Sequence, residues 1–302
     1  MGNIKKEILN RNLPDVLKNQ LDTLSDEIDH IIGFGTKILE FELCRSGDDT
    51  DLPPILFLRN LIENMDAASI LIRNSSIEPC KILLRTGLEN FCSIEYLIMN
   101  PEKSRQRSLC FLVWNLIEHN KWLVRTNSES KDYGELKTTY SKDRLMRGFE
   151  PLIIENAAEK TLVLKEIFRK EPYSLIKQEY DLTRKKLRKN PAWYSLYCGP
   201  QSIKDLASAV DLPALYEILY RGWSHSTHGN NIVQGKLKDD LAGMLVLEPL
   251  RSPEDVVSIA QHCRNFLIAS FISYVDKRCP ELRPELKRFY EDYRGIKLEQ
   301  IV

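Results

Sequence analysis

The sequence PCKILLRTGLENFCSIEYLIM, residues 79–99, is the most apolar helical segment of the chain. Its apolar residues recur at steps of three and four and cover most of the circumference of a helix, which is typical of a helix at the centre of a fold. Four polar residues fall at steps of four, four and three, on one side of that helix: Arg85, Glu89, Ser93 and Tyr96. The segment therefore predicts a central helix with one polar stripe.

The same periodicity runs through most of the chain, while strict alternation over more than five residues is hard to find. Proline stands at or near the start of many of these segments, where its missing N–H has little effect. We therefore predict an all-α protein, a multi-helix antiparallel bundle with helical appendages. The predicted helices span residues 13–32, 36–43, 54–73, 79–99, 102–126, 151–169, 173–189, 203–210, 213–220, 253–277 and 283–293.

The length of 302 residues is about twice that of a typical domain, so the chain forms either one large helical domain or two domains that share a core. We predict an N-terminal helical extension over residues 1–50 and a main helical bundle over residues 51–302. Residues 128–148 are the least periodic stretch and are rich in Ser, Lys, Asp and Gly, which predicts a flexible insertion there.

The composition is that of a globular protein, with 43% hydrophobic and 28% charged residues. No run approaches the roughly 18 apolar residues of a membrane-spanning helix, and the N-terminus has no apolar signal segment, so we expect a cytoplasmic protein. The seven scattered cysteines include no Cys-x-x-Cys pair, which indicates reduced core cysteines. Neither a glycine-rich phosphate loop nor a Gly-x-Ser-x-Gly elbow occurs in the sequence, and we expect no cofactor.

The net charge is zero, but the charges are unevenly distributed. Residues 101–190 contain 20 Lys and Arg against 13 Asp and Glu, an excess of seven positive charges. The densest basic run, residues 184–189, could contact phosphates, as the basic surfaces of nucleic-acid-binding proteins do. Alternatively it is the solvated end of a helix, since such runs are common on protein surfaces.

Two charges in the predicted central helix need an explanation. Arg85 and Glu89 stand four residues apart and could satisfy each other as a buried ion pair with further hydrogen bonds, which would be a structural role. Alternatively, Glu89 orients a catalytic arginine or histidine from another helix, as carboxylates often do. The sequence leaves both interpretations open.

The segment YRGWSHSTHGNN, residues 220–231, has the richest chemistry of the chain. If it is helical, Arg221, His225 and His228 lie within about 40° of one another around the helix axis. The two histidines could then bind a metal together with the aspartates of residues 239–240, although that spacing is not a recognised metal motif.

Two further interpretations of this segment need no metal. Arg221 and His228 could act on a phosphodiester, the arginine stabilising charge on the phosphoryl oxygens while the histidine moves the proton of an attacking hydroxyl. RNA suits this chemistry because its own 2′-hydroxyl can be the nucleophile. In the other interpretation the histidines, Ser224 and Ser226 form a hydrogen-bonded junction in the core.

Part of this pattern resembles a family of bacterial helical proteins that is described only as a domain of unknown function. The resemblance rests on Leu83-Leu84-Arg85-x-x-x-Glu89, followed far downstream by Tyr220 and Ser224-x-x-x-His228. It implies no activity. If Ser224 is the partner of His228, Arg221 need not be catalytic, and the Arg85 and Glu89 pair matters more.

The spacing Arg221-x6-His228 is similar to the Arg-x4–6-His signature of the HEPN superfamily, helical proteins that include many metal-independent toxin and defence ribonucleases. This resemblance implies a HEPN-like fold, Arg221 and His228 as the catalytic pair, and a homodimer in which two such motifs face one cleft. The chain departs from the usual pattern at Gly222, where a polar residue is common, and at His225, an additional histidine.

These observations lead to the hypothesis of a metal-independent endoribonuclease of the HEPN type, a toxin or defence effector that cleaves RNA and has a cognate antitoxin or defence-system partner. The alternative is a non-enzymatic helical scaffold or sensor in which arginine, glutamate, serine and histidine side chains form a buried network. The candidate site consists of Arg221, His228, His225, Ser224, Glu89 and Arg85.

Overall fold

A computed structural model of the protein describes residues 8–45, 47–223, 237–239 and 245–295. Helices dominate this part of the chain, which confirms the predicted helical fold class. The α-helices are α1 Asp15–Arg45, α2 Leu52–Arg73, α3 Cys80–Ile98, α4 Pro101–Arg125, α5 Lys131–Lys142, α6 Ala157–Ile167, α7 Tyr173–Leu187, α8 Ile203–Ala209, α9 Pro213–Leu215, α10 Val256–Arg278 and α11 Arg283–Arg294.

Shorter elements complete the description. Single 3-10 turns lie at Asp49–Asp51 and Pro280–Leu282, and the 3-10 segment Trp193–Cys198 is interrupted by non-helical backbone at Leu196 and Tyr197. Helix α9 continues into a π-helical turn, Tyr216–Arg221. Two short strands, β1 Leu237–Asp239 and β2 Leu245–Leu247, pair in an antiparallel register that the sequence did not predict.

The chain divides into two compact units. One unit comprises Met1–Pro101 and Ile203–Val302, and the other comprises Glu102–Ser202. This division differs from the predicted boundary at residue 50, because α1 packs against α2 and α10 and so belongs to the same unit as they do. The second unit therefore forms an insertion between α3 and α8.

The core of the first unit lies between four long helices. Helix α2 packs along α1 and α3, and α10 packs against α1, α2 and α3. Removal of each large side chain there from water stabilises the fold by roughly 1.5–3 kcal/mol. The buried side chains include Leu58, Leu61, Met65, Leu84, Leu88, Phe266 and Phe271. Helix α3 is therefore central, as its apolar circumference predicts.

Helix α1 is one continuous helix, so the predicted break between residues 32 and 36 was wrong. The glycine at position 35 is a packing residue and does not end the helix. A Cβ atom on Gly35 would lie 2.4 Å from Cζ of Phe271 and 2.9 Å from Cδ1 of Ile62. Only glycine lets α1 approach α2 and α10 this closely, since any side chain would overlap theirs.

Buried charges also join α1 to α10. Glu42 is 1% exposed, and its carboxylate accepts hydrogen bonds from Arg278 Nη2 at 2.8 Å and Arg45 Nη2 at 2.5 Å. The thiol of Cys279 donates to the same carboxylate at 2.7 Å. A buried carboxylate with two cations and a third donor is well satisfied, so this group has a structural explanation.

The second unit has its core around α4 and α7. Apolar side chains of α4, α7 and the 3-10 turn at Trp193–Cys198 form one cluster: Leu109, Cys110, Val113, Ile176, Tyr180 and Leu196. A smaller cluster of Leu123, Ala157 and Leu164 joins α4 to α6. These two clusters attach three helices of the unit to one another.

The structure places helix α5 inside the stretch that was predicted to be a flexible insertion. The Ser130 hydroxyl accepts a hydrogen bond from the Tyr133 backbone N–H at 3.0 Å, which is a helix N-cap, and the Tyr133 side chain is buried. The predicted helix 151–169 is shorter, because Asn156 has a left-handed φ of 58° immediately before α6.

Candidate functional site

Arg85 and Glu89 of α3 meet Tyr220 of the π-helical turn. Helix α3 packs against this turn, and the guanidinium carbon of Arg85 lies 3.9 Å from the centroid of the Tyr220 ring. The Tyr220 hydroxyl hydrogen-bonds to the Glu89 carboxylate. We name these three residues the Arg85 cluster. One tyrosine therefore contacts both charged side chains of the polar stripe.

The stabilisation of Arg85 comes chiefly from this ring. Its side chain is only 12% exposed, and its Nε lies 4.0 Å from Oε1 of Glu89, which is too long for a hydrogen bond. Its Nη1 is buried without a hydrogen-bond partner among the described residues. A desolvated cation over an aromatic face gains about 2 kcal/mol, which offsets part of its burial.

Glu89 has a different environment from its partner. Its side chain is 46% exposed, so it lies at the edge of the unit and not in the core. Burial raises the pKa of the Glu89 carboxyl, while the Arg85 charge and the Tyr220 hydrogen bond oppose that rise. The carboxyl is therefore both reachable by solvent and easier to protonate than an ordinary glutamate.

Ser93, the third residue of the predicted polar stripe, bonds within its own helix. The Ser93 hydroxyl donates to the backbone carbonyl of Glu89 at 2.8 Å, which is a bond within the helix and not a bond to the carboxylate. Serine in a helix commonly satisfies itself in this way. Arg85 and Glu89 are the residues of the stripe that contact Tyr220.

The π-helical turn explains the glycine at position 222. The Gly222 N–H donates to the Glu217 carbonyl at 3.1 Å, five residues back, and a Cβ on Gly222 would lie 2.4 Å from the Ile218 carbonyl oxygen. This departure from the HEPN pattern therefore has a local cause. Tyr216 and Tyr220 stack in the same turn, with ring centroids 5.2 Å apart. Single π turns are frequent at functional sites.

Arg221 follows Tyr220 directly but has the opposite exposure. Its side chain is 73% exposed, and its Nη1 pairs with Oε2 of Glu217 at 3.0 Å. Exposed ion pairs of this kind contribute little to the stability of the fold, and each charge readily pairs with another ion instead. The guanidinium is therefore available to an anion, while its neighbour is anchored on α3.

Two aromatic side chains near this turn were not predicted to belong to a site. The rings of Trp223 and His262 meet edge to face, with centroids 5.9 Å apart. Burial lowers the pKa of His262, so this histidine favours the neutral form. The sequence shows His262 only as a lone histidine in an apolar helix, and no spacing relates it to a tryptophan 39 positions earlier.

The remaining predicted site residues lie outside the described part of the chain: Ser224, His225, Ser226 and His228. The structure therefore brings together Arg85, Glu89 and the turn that carries Arg221. Within the ranges given above, no three His, Cys, Asp or Glu side chains are grouped to hold a metal ion. Among the same residues, no helix has both the length and the apolar character needed to cross a membrane.

Comparison with known proteins places the chain in a family without assigning a function. The sequence model of the family DUF5677 matches residues 51–240, which is more than half of the chain and includes α3 and the π-helical turn. Neither a curated protein nor a solved structure shows significant similarity to the chain. The chain belongs to DUF5677, a family of unknown function.

Proposed function

We propose that the protein is a metal-independent endoribonuclease of the HEPN type, in which Arg221 and His228 are the catalytic residues. One observation carries the proposal. Tyr220 is held by Arg85 and Glu89, while the next residue, Arg221, has 73% of its side chain exposed. A fixed turn that presents an exposed guanidinium supports electrostatic stabilisation of a phosphoryl group.

The reaction would need only these two side chains and the RNA. The 2′-oxygen attacks the adjacent phosphorus, the bond from phosphorus to the 5′-oxygen breaks, and a 2′,3′-cyclic phosphate forms. His228 accepts the proton of the 2′-hydroxyl, and the departing 5′-oxygen takes a proton from water. Arg221 exchanges its exposed pairing with Glu217 for the phosphoryl oxygens.

The other residues of the candidate site would act as positioning residues. Arg85 and Glu89 hold Tyr220 and thereby the start of the 220–231 segment. Ser224 and His225 lie between the two catalytic residues in sequence, and we assign them to orienting His228. Such supporting groups affect a rate through geometry and not through contact with the substrate.

Cleavage of a mixed RNA substrate in EDTA tests the proposal. The wild-type chain should cleave RNA, and Arg221→Ala and His228→Ala should each reduce the rate by at least about a hundredfold. Arg59→Ala is the matched control, because Arg59 is 62% exposed and pairs with Glu63 four residues later, as Arg221 pairs with Glu217 four residues earlier. Intact RNA, or equal cleavage by His228→Ala, would overturn the proposal.

The HEPN resemblance extends the proposal to the biological unit. We propose a cytoplasmic homodimer that acts as a toxin or defence effector, opposed by a cognate antitoxin or defence-system partner. Light scattering after gel filtration should give twice the 35.1 kDa of one chain. A monomer at micromolar concentration would contradict the dimer, and it would leave the RNA assay to decide the activity.

The burial of Arg85 favours a second candidate function, a non-enzymatic sensor or scaffold. A cation that is only 12% exposed can stabilise a fold through its partners, and this structural role needs no catalytic site beside it. In that case substitutions in the Arg85 cluster lower stability, and no RNA is cleaved. The EDTA assay described above separates the two candidates, because only the ribonuclease depends on His228 for a product.

A further inference from the structure

The unit Glu102–Ser202 contains an open cleft that the proposed catalytic residues do not use. The cleft has a volume of about 230 Å³ and lies between α7 and the segment that follows it. Its polar lining consists of Glu179, Thr183, Lys186, Ser195, Cys198 and Gln201. A cleft of this volume is slightly below the usual range for small-molecule sites, and it suits part of a larger ligand.

The wall of the cleft is rigidly built. Oε1 of Glu179 accepts hydrogen bonds from the Thr183 hydroxyl at 2.8 Å and from the Tyr197 backbone N–H at 2.9 Å. Tyr197 and Cys198 are consecutive non-glycine residues with left-handed φ angles of 54° and 59°. Such strain persists only where surrounding contacts enforce it, and it is concentrated at functional sites.

Two polar side chains line the cleft beside this wall. Ser195 is 4% exposed, and Gln201 lies six positions later in the chain. A hydroxyl and an amide can each donate and accept hydrogen bonds. These side chains therefore offer polar contacts to a ligand in the cleft.

Lys186 of the cleft lining belongs to a strongly basic helix end. Five cations at the end of α7 are exposed: Arg184, Lys185, Lys186, Arg188 and Lys189. Within the described part of the chain, none of the five forms an ion pair with a carboxylate. The C-terminal end of a helix favours one or two cations, but five within six residues repel one another. Their density fits a ligand that carries several negative charges.

An exposed aromatic residue directly precedes Cys198 of the cleft lining. Tyr197 is 42% exposed, and its backbone N–H bonds to Glu179 of α7, the helix that carries the cations. The side chain of Gln106 hydrogen-bonds to the Tyr197 hydroxyl. Exposed aromatic rings together with cations are the usual platform for the bases of single-stranded nucleic acid.

We propose that the cleft and the basic end of α7 bind single-stranded RNA. The cations contact successive phosphates, Tyr197 stacks on a base, and Ser195 and Gln201 contact polar groups of one nucleotide in the cleft. The choice of RNA rests on the proposed function, while the preference for a single strand rests on the exposed ring, since duplex bases are not free to stack on it.

Fluorescence anisotropy with a 2′-O-methyl RNA 12-mer measures binding without cleavage, because the methyl group blocks attack by the 2′-oxygen. The triple variant Arg184→Gln, Lys186→Gln, Arg188→Gln should bind at least about tenfold more weakly at ~0.1 M salt. The slope of log K against log salt concentration should decrease in magnitude by about 2, or roughly 0.7 for each lost phosphate contact. Circular dichroism should show an unchanged melting temperature, as these side chains are exposed.

The matched control removes the same charge from the same unit. Lys160, Lys165 and Lys170 are exposed lysines on and just after α6, and their triple Gln variant should bind as the wild type does. Equal losses in the two triple variants would mean attraction by net charge alone and would overturn the proposed site. Unchanged binding in the α7 variant, or no binding by the wild type at low salt, would also overturn it.

Two further comparisons test the preference for single-stranded RNA. Tyr197→Phe keeps a stacking ring and should bind within about twofold of wild type, whereas Tyr197→Ala should lose about tenfold. Equal affinity for duplex DNA of the same length would overturn the preference for a single strand. RNA binding that depends on α7 in a chain that cleaves nothing would support this site and refute the ribonuclease, and cleavage that survives the α7 substitutions unchanged would do the reverse.

Discussion

The guanidinium of Arg85 stacks on the ring of Tyr220, with its central carbon 3.9 Å from the ring centroid. This contact joins a central helix to a turn 135 positions later in the chain. Because Arg85 is mostly buried and its distance to Glu89 is 4.0 Å, the ring is the closer partner. The stability of the first unit should therefore depend on the aromatic character of position 220.

Substitution of Tyr220 tests this dependence. Tyr220→Ala removes the ring from a buried cation, and we expect the free energy of unfolding to fall by about 2–4 kcal/mol. Tyr220→Phe keeps the ring and loses only the hydrogen bond to Glu89, so a decrease of about 1 kcal/mol or less is expected. Urea unfolding followed by circular dichroism measures both. Equal losses in the two variants would show that the hydroxyl, and not the ring, stabilises the turn.

The raised pKa of Glu89 predicts a pH dependence of stability. The folded chain holds this proton more tightly than the unfolded chain, so the free energy of unfolding falls as the pH rises from the ordinary glutamate value of 4.5 through the raised value. Glu89→Gln cannot titrate and lacks this decrease. The stability of the variant relative to wild type should therefore increase across that window and then stay constant.

Urea unfolding of both proteins between about pH 4 and pH 8 measures this difference. The control is Glu63→Gln, a 61% exposed glutamate of α2 that also lies four residues from an arginine. Parallel curves for wild type and Glu89→Gln would contradict the raised pKa. An increase in relative stability on lowering the pH would contradict its direction.

Two glycines of α1, one packed against the core and one open to solvent, allow a matched test of core packing. Gly35→Ala would place a Cβ 2.4 Å from Phe271, and we expect overpacking to lower the free energy of unfolding by about 1–3 kcal/mol. Nothing lies within 4 Å of a Cβ at Gly33, so Gly33→Ala should raise it by about 0.5–1 kcal/mol through helix propensity. Effects of the same sign in both variants would refute the role assigned to Gly35.

The cysteines differ in their predicted reactivity. All seven are free thiols, and only Cys44 and Cys198 are exposed. Burial raises the pKa of Cys80, Cys92 and Cys110 to about 12, which suppresses the reactive thiolate. Iodoacetamide at pH 8 should modify two thiols in the native protein and seven in urea, as counted by mass spectrometry. Rapid modification of a third thiol would show that the core opens.

Much of the helical fold could be predicted because its causes are local. The apolar period of α2, α3 and α10 records which side of each helix is buried, and the structure confirms all three. The break predicted in α1 was wrong because glycine weakens a helix in isolation, whereas Gly35 serves contacts with Phe271 that no local pattern contains. Helix α5 was missed because Tyr133 is its one buried side chain.

The site was less predictable because its contacts are not local. A spacing of four residues predicts that Arg85 and Glu89 are neighbours on α3, and their distance is 4.0 Å. It does not predict that Tyr220 contacts both of them, since that depends on which elements pack together. The hydrogen bond from Gly222 to a carbonyl five residues back is likewise invisible to a search for periods of 3.6 or 2.

The π-helical turn makes the length of this segment as important as its composition. A π turn is an α-helix with one additional residue, and each residue of an α-helix turns the chain by about 100°. Deletion of one residue within positions 214–219 would therefore rotate Tyr220 away from Arg85, although Tyr220 itself is unchanged. In evolutionary terms, a related sequence that is one residue shorter here would point the residues equivalent to Tyr220 and Arg221 in different directions around the helix axis.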